Sequence, residues 1–217
     1  MTGRLILLRH GQTYSNLNRI LDTRPPGAEL TDLGRSQASA AGAELVEMCG
    51  VHPLPALVSS VAIRAQQTAV LVADAFAKAG ASLPIEVLPG IHEISAGELE
   101  GAQGEEAATQ YTETFRGWLV GDTDARIIDG ENVSDVLNRY RPVLENLVAS
   151  HTSQGRDVIV VSHGAAIRTV SCHATGVDPD FAFGAYLPNC RFVVLSPSDA
   201  PFGEWELVRW ADTDRQI

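Results

Sequence analysis

The sequence predicts an α/β fold: a three-layer sandwich with a mostly parallel sheet and helices on both faces. Three observations lead there. Short apolar runs alternate with helix-like stretches along the whole chain. Several runs are apolar at consecutive positions, as in strands covered on both faces. Two of them end in His-Gly, at Arg9-His10-Gly11 and at Ser162-His163-Gly164, and the carboxyl edge of such a sheet is where ligands bind.

Residues 4–8 (RLILL) read as the first strand, followed by residues 56–59, 85–88 and 157–162. Residues 191–195 and 205–210 are late strands. Between them lies a helix over 33–48, with apolar residues at 33, 38, 41, 45 and 48 and Gly50 as its stop. An alanine-rich helix covers 63–79 and ends before Gly80. Residues 133–148 carry the strongest helical period, and Pro142 inside them is expected to kink or interrupt the helix because it removes a backbone donor. Residues 164–174 form a helix that follows directly on a strand. The stretch 93–131 is longer than a plain crossover, with a short helix over 107–119 inside it. It reads as an excursion covering the site within one domain over residues 1–217.

Composition narrows the function. The chain is 45% apolar and 20% charged, as globular proteins are, and no apolar run approaches the roughly 20 residues of a membrane span. The first residues lead straight into a strand without the n-region of a signal peptide. A cytoplasmic protein without a membrane partner is expected. Cys49, Cys172 and Cys190 are odd in number with no CxxC pair, which argues against a disulfide framework and a structural zinc site. The net charge of -11, from 16 basic and 27 acidic residues, is the wrong sign for nucleic acid. An anionic substrate would be repelled by the molecule as a whole, so its site must be a local focus of arginines.

His10 at a strand end is a candidate nucleophile: a neutral imidazole attacks phosphorus while its other nitrogen is held by a carbonyl. Arg9 offers planar, bidentate donors for phosphoryl oxygens. Gly11 lets the backbone turn closely around a phosphate. His163-Gly164 opens a helix, whose first N–H groups favour an anion. A metal reading would use both histidines but lacks further ligands at a recognisable spacing, so no metal is expected.

At these residues the chain resembles the histidine phosphatase superfamily, which includes the cofactor-dependent phosphoglycerate mutases. RHGQTYSN (9–16), AELTDLGRSQA (28–38), SSVAIRAQQTA (59–69) and VSHGAAIR (161–168) are similar to its blocks in order, with a weaker match at EISAGELEG (93–101). The resemblance implies a phosphoglycerate mutase-like fold: a mixed, mostly parallel sheet with one antiparallel edge strand. It implies His10 as nucleophile and phosphohistidine. Arg9, Arg64 and His163 would surround the phosphoryl oxygens, with Asn16 and the Gly164 backbone as further donors. Glu93 would be the acid that protonates the leaving oxygen and then the base on water. Such chemistry is positioning and charge neutralisation and requires no cofactor. Arg64 read without its block would be a surface arginine, and Glu98 and Glu100 rival Glu93. His52, His92, His151 and His173 match no block and read as solvated or structural.

The expected activity is therefore that of a histidine acid phosphatase-type phosphoric monoester hydrolase, acting on a small phosphorylated metabolite as a monomer or homodimer. A phosphoglycerate mutase and an inactive phospho-ligand-binding module are the alternatives. The chain departs from the mutase pattern. Uncharged Ile94, Ser95 and Ala96 follow Glu93, and only Arg116 and Arg126 are basic between Glu93 and Ile128. A mutase must retain a highly anionic intermediate, which calls for several cations. Glu98, Glu100, Glu105 and Glu106 instead suit product release. Tyr111, Phe115 and Trp118 suit a partly apolar leaving group.

Overall fold

The computed structural model describes residues 2–214; residue 1 and residues 215–217 of the expected domain lie outside the described residues. Seven strands form one sheet: β1 (Leu5–Arg9), β2 (Ala56–Ser60), β3 (Ile85–Leu88), β4 (Val158–Ser162), β5 (Phe192–Ser196), β6 (Glu206–Trp210) and the two-residue β7 (Thr213–Asp214). Their order is β3-β2-β4-β1-β5-β6-β7. The sheet is mixed. β3, β2, β4 and β1 run parallel, and β5, β6 and β7 continue as an antiparallel meander. An antiparallel edge strand is present as β7, but three strands and not one pair antiparallel. The antiparallel strand beside β1 is β5, and it is internal, because β6 and β7 pair beyond it. β7 carries too little sequence to have been read in advance.

The six longer strands fall within a residue or two of the expected runs. The physical reason is visible in β1. Leu5 and Leu7 face one core with Val158 and Val160, while Ile6 and Leu8 face the other with Ile159 and Val161. Successive side chains of a strand point to opposite faces, so a strand covered on both sides must be apolar throughout. Each such side chain contributes roughly 1.5–3 kcal/mol on burial. Helices α2 (Asp32–Cys49) and α3 (Ile63–Lys78) cover one face through Ala38, Leu45, Ala69 and Phe76. On the other lie α4 (Glu105–Val120), α5 (Val133–Ser150), α6 (Gly164–Thr175) and the short α7 (Pro179–Gly184).

Pro142 does not interrupt α5, which runs unbroken from Val133 to Ser150. Pro142 and Asn138, the residue whose carbonyl loses its partner, are both exposed, so water replaces the missing donor. The helix is also held by a capping box in which Asn132 Oδ1 accepts from Asp135 N at 2.9 Å and by buried Val136, Tyr140 and Leu144. Two short helices were not anticipated. α1 (Tyr14–Leu17) is a single turn capped by Thr13. α7 begins with Asp178 as cap and Pro179 at its first position, a start signal present in the sequence. Among the described residues no helix is long and apolar enough to cross a membrane.

The sheet register positions the site. Arg9 of β1 pairs with Ser162 of β4, so His10 and His163 each leave the sheet one residue beyond the same rung. β2 stops at Ser60 beside them, and Arg64 follows in the first turn of α3.

Candidate active site

A cavity of about 480 Å³ opens at this edge, lined by Arg9, His10, Asn16, Arg64, Glu93 and Gly164 among others. His163 is fully buried behind it, its ring 5.2 Å from that of His10, edge to face. The structure thus brings together every residue the sequence singled out for the site.

His10 is 4% exposed, and its Nδ1 lies 2.7 Å from Gly11 O. A carbonyl only accepts, so Nδ1 carries the proton and Nε2 keeps its lone pair. Burial, and then the charges of Arg64 and Arg9, hold the imidazole well below the usual histidine range. The turn that makes this possible needs glycine: a Cβ on Gly11 would stand 2.4 Å from the Gly34 carbonyl oxygen in the first turn of α2.

His163 is fixed at both nitrogens. Arg64 Nε donates to its Nδ1 at 3.3 Å. An arginine cannot accept, so Nε2 carries the hydrogen and meets Ser60 Oγ at 2.9 Å. Burial, and then Arg64 and His10, keep this ring neutral too.

The two expected arginines present unpaired donors. Arg64 is 2% exposed, and its Nη1 makes no hydrogen bond; Asp22 Oδ1 is 3.8 Å away. Arg9 Nη1 donates to Leu187 O at 2.6 Å and to the Tyr186 hydroxyl at 2.9 Å, while its buried Nε is unpartnered. A buried unsatisfied donor costs about 1–3 kcal/mol, so an anion seated between these groups recovers what the empty site forfeits. Asn16 Oδ1 accepts from Thr13 N and Asn189 Nδ2, and those bonds do not use its own Nδ2.

Glu93 caps α6. Its Oε1 accepts from Ala166 N at 2.8 Å and its Oε2 from Ala165 N at 3.2 Å, at the positive end of the helix dipole. Its backbone is held by Arg139 of α5, which donates to the carbonyls of Gly90, His92 and Glu93 and pairs with Glu131 at 2.7 Å. The rivals are elsewhere: Glu100 accepts from Thr23 N at 2.9 Å and from its hydroxyl at 2.5 Å, tying residues 97–101 to the loop after α1. None of Glu98, Glu100, Glu105 and Glu106 lines the cavity. Tyr111 and Phe115 do line it, whereas Trp118 belongs to the core, donating to Ala125 O.

Sequence reasoning missed Ser60, Arg168, Asp22, Arg139 and Asn189. Ser60 and Arg168 lie inside recognised blocks, but nothing in one sequence separates them from their neighbours. Of the unassigned histidines, His52 is exposed, His151 Nδ1 meets Arg156 and His173 Nε2 meets Trp118 O at 2.8 Å.

A strand-end histidine with a free nitrogen, flanked by buried arginine donors and a carboxylate, defines a phosphoryl-transfer site built on an α/β sandwich. Residues 5–213 match the histidine phosphatase superfamily (branch 1), and the chain belongs to that family. It is 29% identical over 214 residues to the glucosyl-3-phosphoglycerate phosphatase of Mycobacterium tuberculosis, covering 95% of this chain and 91% of that one. A structure of the mycobacterial glucosyl-3-phosphoglycerate phosphatase with VO3 superposes with a TM-score of 0.77 at 28% identity, over 97% of this chain and 100% of that chain. A 2,3-bisphosphoglycerate-dependent phosphoglycerate mutase of Sinorhizobium fredii is 31% identical over 171 residues, 78% of each chain. A bifunctional protein of Mycobacterium tuberculosis is 37% identical over 166 residues, 76% of this chain, which spans only 42% of its length.

Proposed function

We propose that this protein hydrolyses phosphomonoesters of small metabolites through a phosphohistidine at His10. One observation carries the reading: His10 presents an unprotonated Nε2 to a cavity in which two buried arginine donors lack partners. In the first step Nε2 attacks phosphorus, the P–N bond forms and the bond to the leaving oxygen breaks. Glu93 gives that oxygen its proton. In the second step Glu93 takes a proton from water, whose oxygen displaces Nε2, and His10 regains its lone pair. Arg9, Arg64, Asn16 and the Gly164 N–H receive the phosphoryl oxygens. His163 joins them once Arg64 turns toward the substrate. The Ser60 hydroxyl both donates and accepts, so the ring can move its hydrogen to Nδ1 without losing that bond.

Several narrower readings go with it. Charge neutralisation by arginines supports a metal-independent reaction. The depressed His10 supports turnover on the acid side of neutrality, the character of a histidine acid phosphatase. Residues 93–131 pack over the site as part of a single domain, and the protein works in the cytoplasm on a phosphate ester, without nucleic acid. The mutase reading has the Sinorhizobium relative in its favour. Against it, the cavity wall from 93–131 supplies Glu93, Tyr111, Thr112 and Phe115 and no cation.

The test is a panel of phosphometabolites that includes 3-phosphoglycerate with a bisphosphoglycerate primer. Phosphate release should exceed isomer formation, His10→Ala should abolish turnover and acid-labile labelling, and Glu93→Gln should slow turnover about 10²–10⁴-fold with the fold intact. Isomerisation faster than hydrolysis of every ester would overturn the reading.

A further inference from the structure

The cavity is much larger than one phosphoryl group, and its far wall differs in chemistry from its floor. Beyond the arginines of the floor the lining carries Leu21, Tyr111, Phe115, Phe183 and Tyr186, with Asp22, Thr23 and Thr112 as its polar members. Arg168 is the third arginine of the cavity lining, after Arg9 and Arg64. Arg168 lies on α6 four residues beyond Gly164, on the same face and about one 5.4 Å turn further along. It stacks on Phe115, 4.4 Å from the ring centroid. Its Nε and Nη2 donate to Ala182 O and Phe183 O. Those bonds fix the guanidinium plane and leave Nη1 without a protein partner. Phe183 in turn stacks on Phe115, with centroids 6.1 Å apart. Arg168 is therefore a rigid, pre-oriented donor with Nη1 available, set among aromatic rings one turn from the phosphoryl position.

We propose that this wall is a leaving-group subsite for phosphomonoesters whose alcohol combines a flat apolar face with one carboxylate, the carboxylate meeting Arg168 Nη1. The inference rests on the phosphatase reading. A carboxylate oxygen accepts a charge-assisted hydrogen bond from Nη1, stronger than a neutral acceptor would. A second phosphate dianion would need more than this single cation, because Arg9 and Arg64 are committed to the transferred group. A bare sugar would offer Arg168 Nη1 no anionic acceptor.

The test compares kcat/KM for 4-carboxyphenyl phosphate, its uncharged isostere 4-carbamoylphenyl phosphate, and 3-phosphoglycerate, which has the carboxylate without the ring. The carboxylated aryl ester should exceed each of the others by about tenfold or more, the scale of one charge-assisted hydrogen bond. Arg168→Gln should shrink the carboxyl-to-carbamoyl ratio at least fivefold, chiefly through KM. Because Arg168 also holds α7, the wild-type protein supplies an independent measurement. The inhibition constant of 4-carboxybenzylphosphonate should lie about tenfold below that of its carbamoyl isostere. Equal rates on the three esters, equal inhibition by the two phosphonates, or a ratio unchanged in Arg168→Gln would overturn the subsite while leaving the phosphatase standing. No turnover of any ester, with no label on His10, would remove both.

Discussion

The imidazoles of His10 and His163 meet edge to face with 5.2 Å between centroids, although 153 residues separate them in sequence. Parallel pairing of β1 with β4 creates the relationship, and any shift of that register would break it. Two cationic rings at this spacing would repel each other. Both are instead held neutral, and the hydrogen-bond partners of each decide which nitrogen carries the hydrogen.

In the proposed mechanism Ser60, 2.9 Å from His163 Nε2, lets that ring change its tautomer. Ser60→Ala removes the partner of Nε2 and leaves a buried donor unsatisfied, a loss of about 1–3 kcal/mol. kcat should fall about tenfold or more, with a smaller effect on KM, and Ser60→Thr should recover part of it. Steady-state kinetics on the two variants checks this. Equal kcat in Ser60→Ala and wild type would show that the hydroxyl has no part in turnover.

The depressed histidines set a pH dependence. A free histidine titrates near 6.5, and His10 and His163 lie well below that in the folded protein. Loss of the His10 lone pair should therefore begin only below about pH 6.5. For stability, the unfolded chain binds protons at these positions before the folded one does, so stability rises with pH. Their contribution is complete above about pH 6.5 and is lost as pH falls toward the folded values. Melting temperature should drop from pH 7.5 to pH 5, and the drop should be smaller in His163→Asn. An identical drop in that variant would place its cause in other groups.

Arg139 anchors the backbone of Glu93 from α5. Arg139→Gln leaves Glu131 and three carbonyls without their donor, and should cost about 3 kcal/mol of stability. Denaturant unfolding measures that. Arg139→Lys keeps the charge but loses the fork that reaches Glu131 with two nitrogens. It should recover stability more fully than kcat, since the position of Glu93 depends on geometry. If both variants melted like wild type, the hub would carry no such weight.

Treatment with a chelator should leave turnover unchanged, because the charges facing the phosphoryl group are those of Arg9 and Arg64. Assay before and after exhaustive dialysis against the chelator decides it; full loss restored by a divalent ion would point to a metallophosphatase.

How far the molecule was legible varied with the kind of force at work. Strands buried on both faces write themselves as unbroken apolar runs, and β1, β2 and β4 were readable for that reason. The site was readable where backbone and side chain collaborate locally, as at His10-Gly11 and His163-Gly164. The internal place of β5 was not, since its partner on each side is fixed by the path of the chain and not by its own composition. Pro142 misled because the cost of a lost donor depends on whether the orphaned carbonyl faces water. Ser60, Arg168 and Arg139 escaped because each acts through a partner many residues away, and a serine or arginine carries no local mark of that. Trp118 shows the reverse: it shares its helical spacing with Tyr111 and Phe115, which line the cavity, yet it is fully buried in the core.

Because β5 runs antiparallel to β1 and begins beside its carboxyl end, the residues just before it return to His10. Asn189 Nδ2 donates to His10 O across 179 positions, and Arg9 reaches Leu187 O across 178. Translation delivers the amino end first. His10 is thus made long before the segment 187–189 that steadies it. Until residues 187–189 have been made, Arg9 and the carbonyl of His10 lack the partners that hold them in the folded protein.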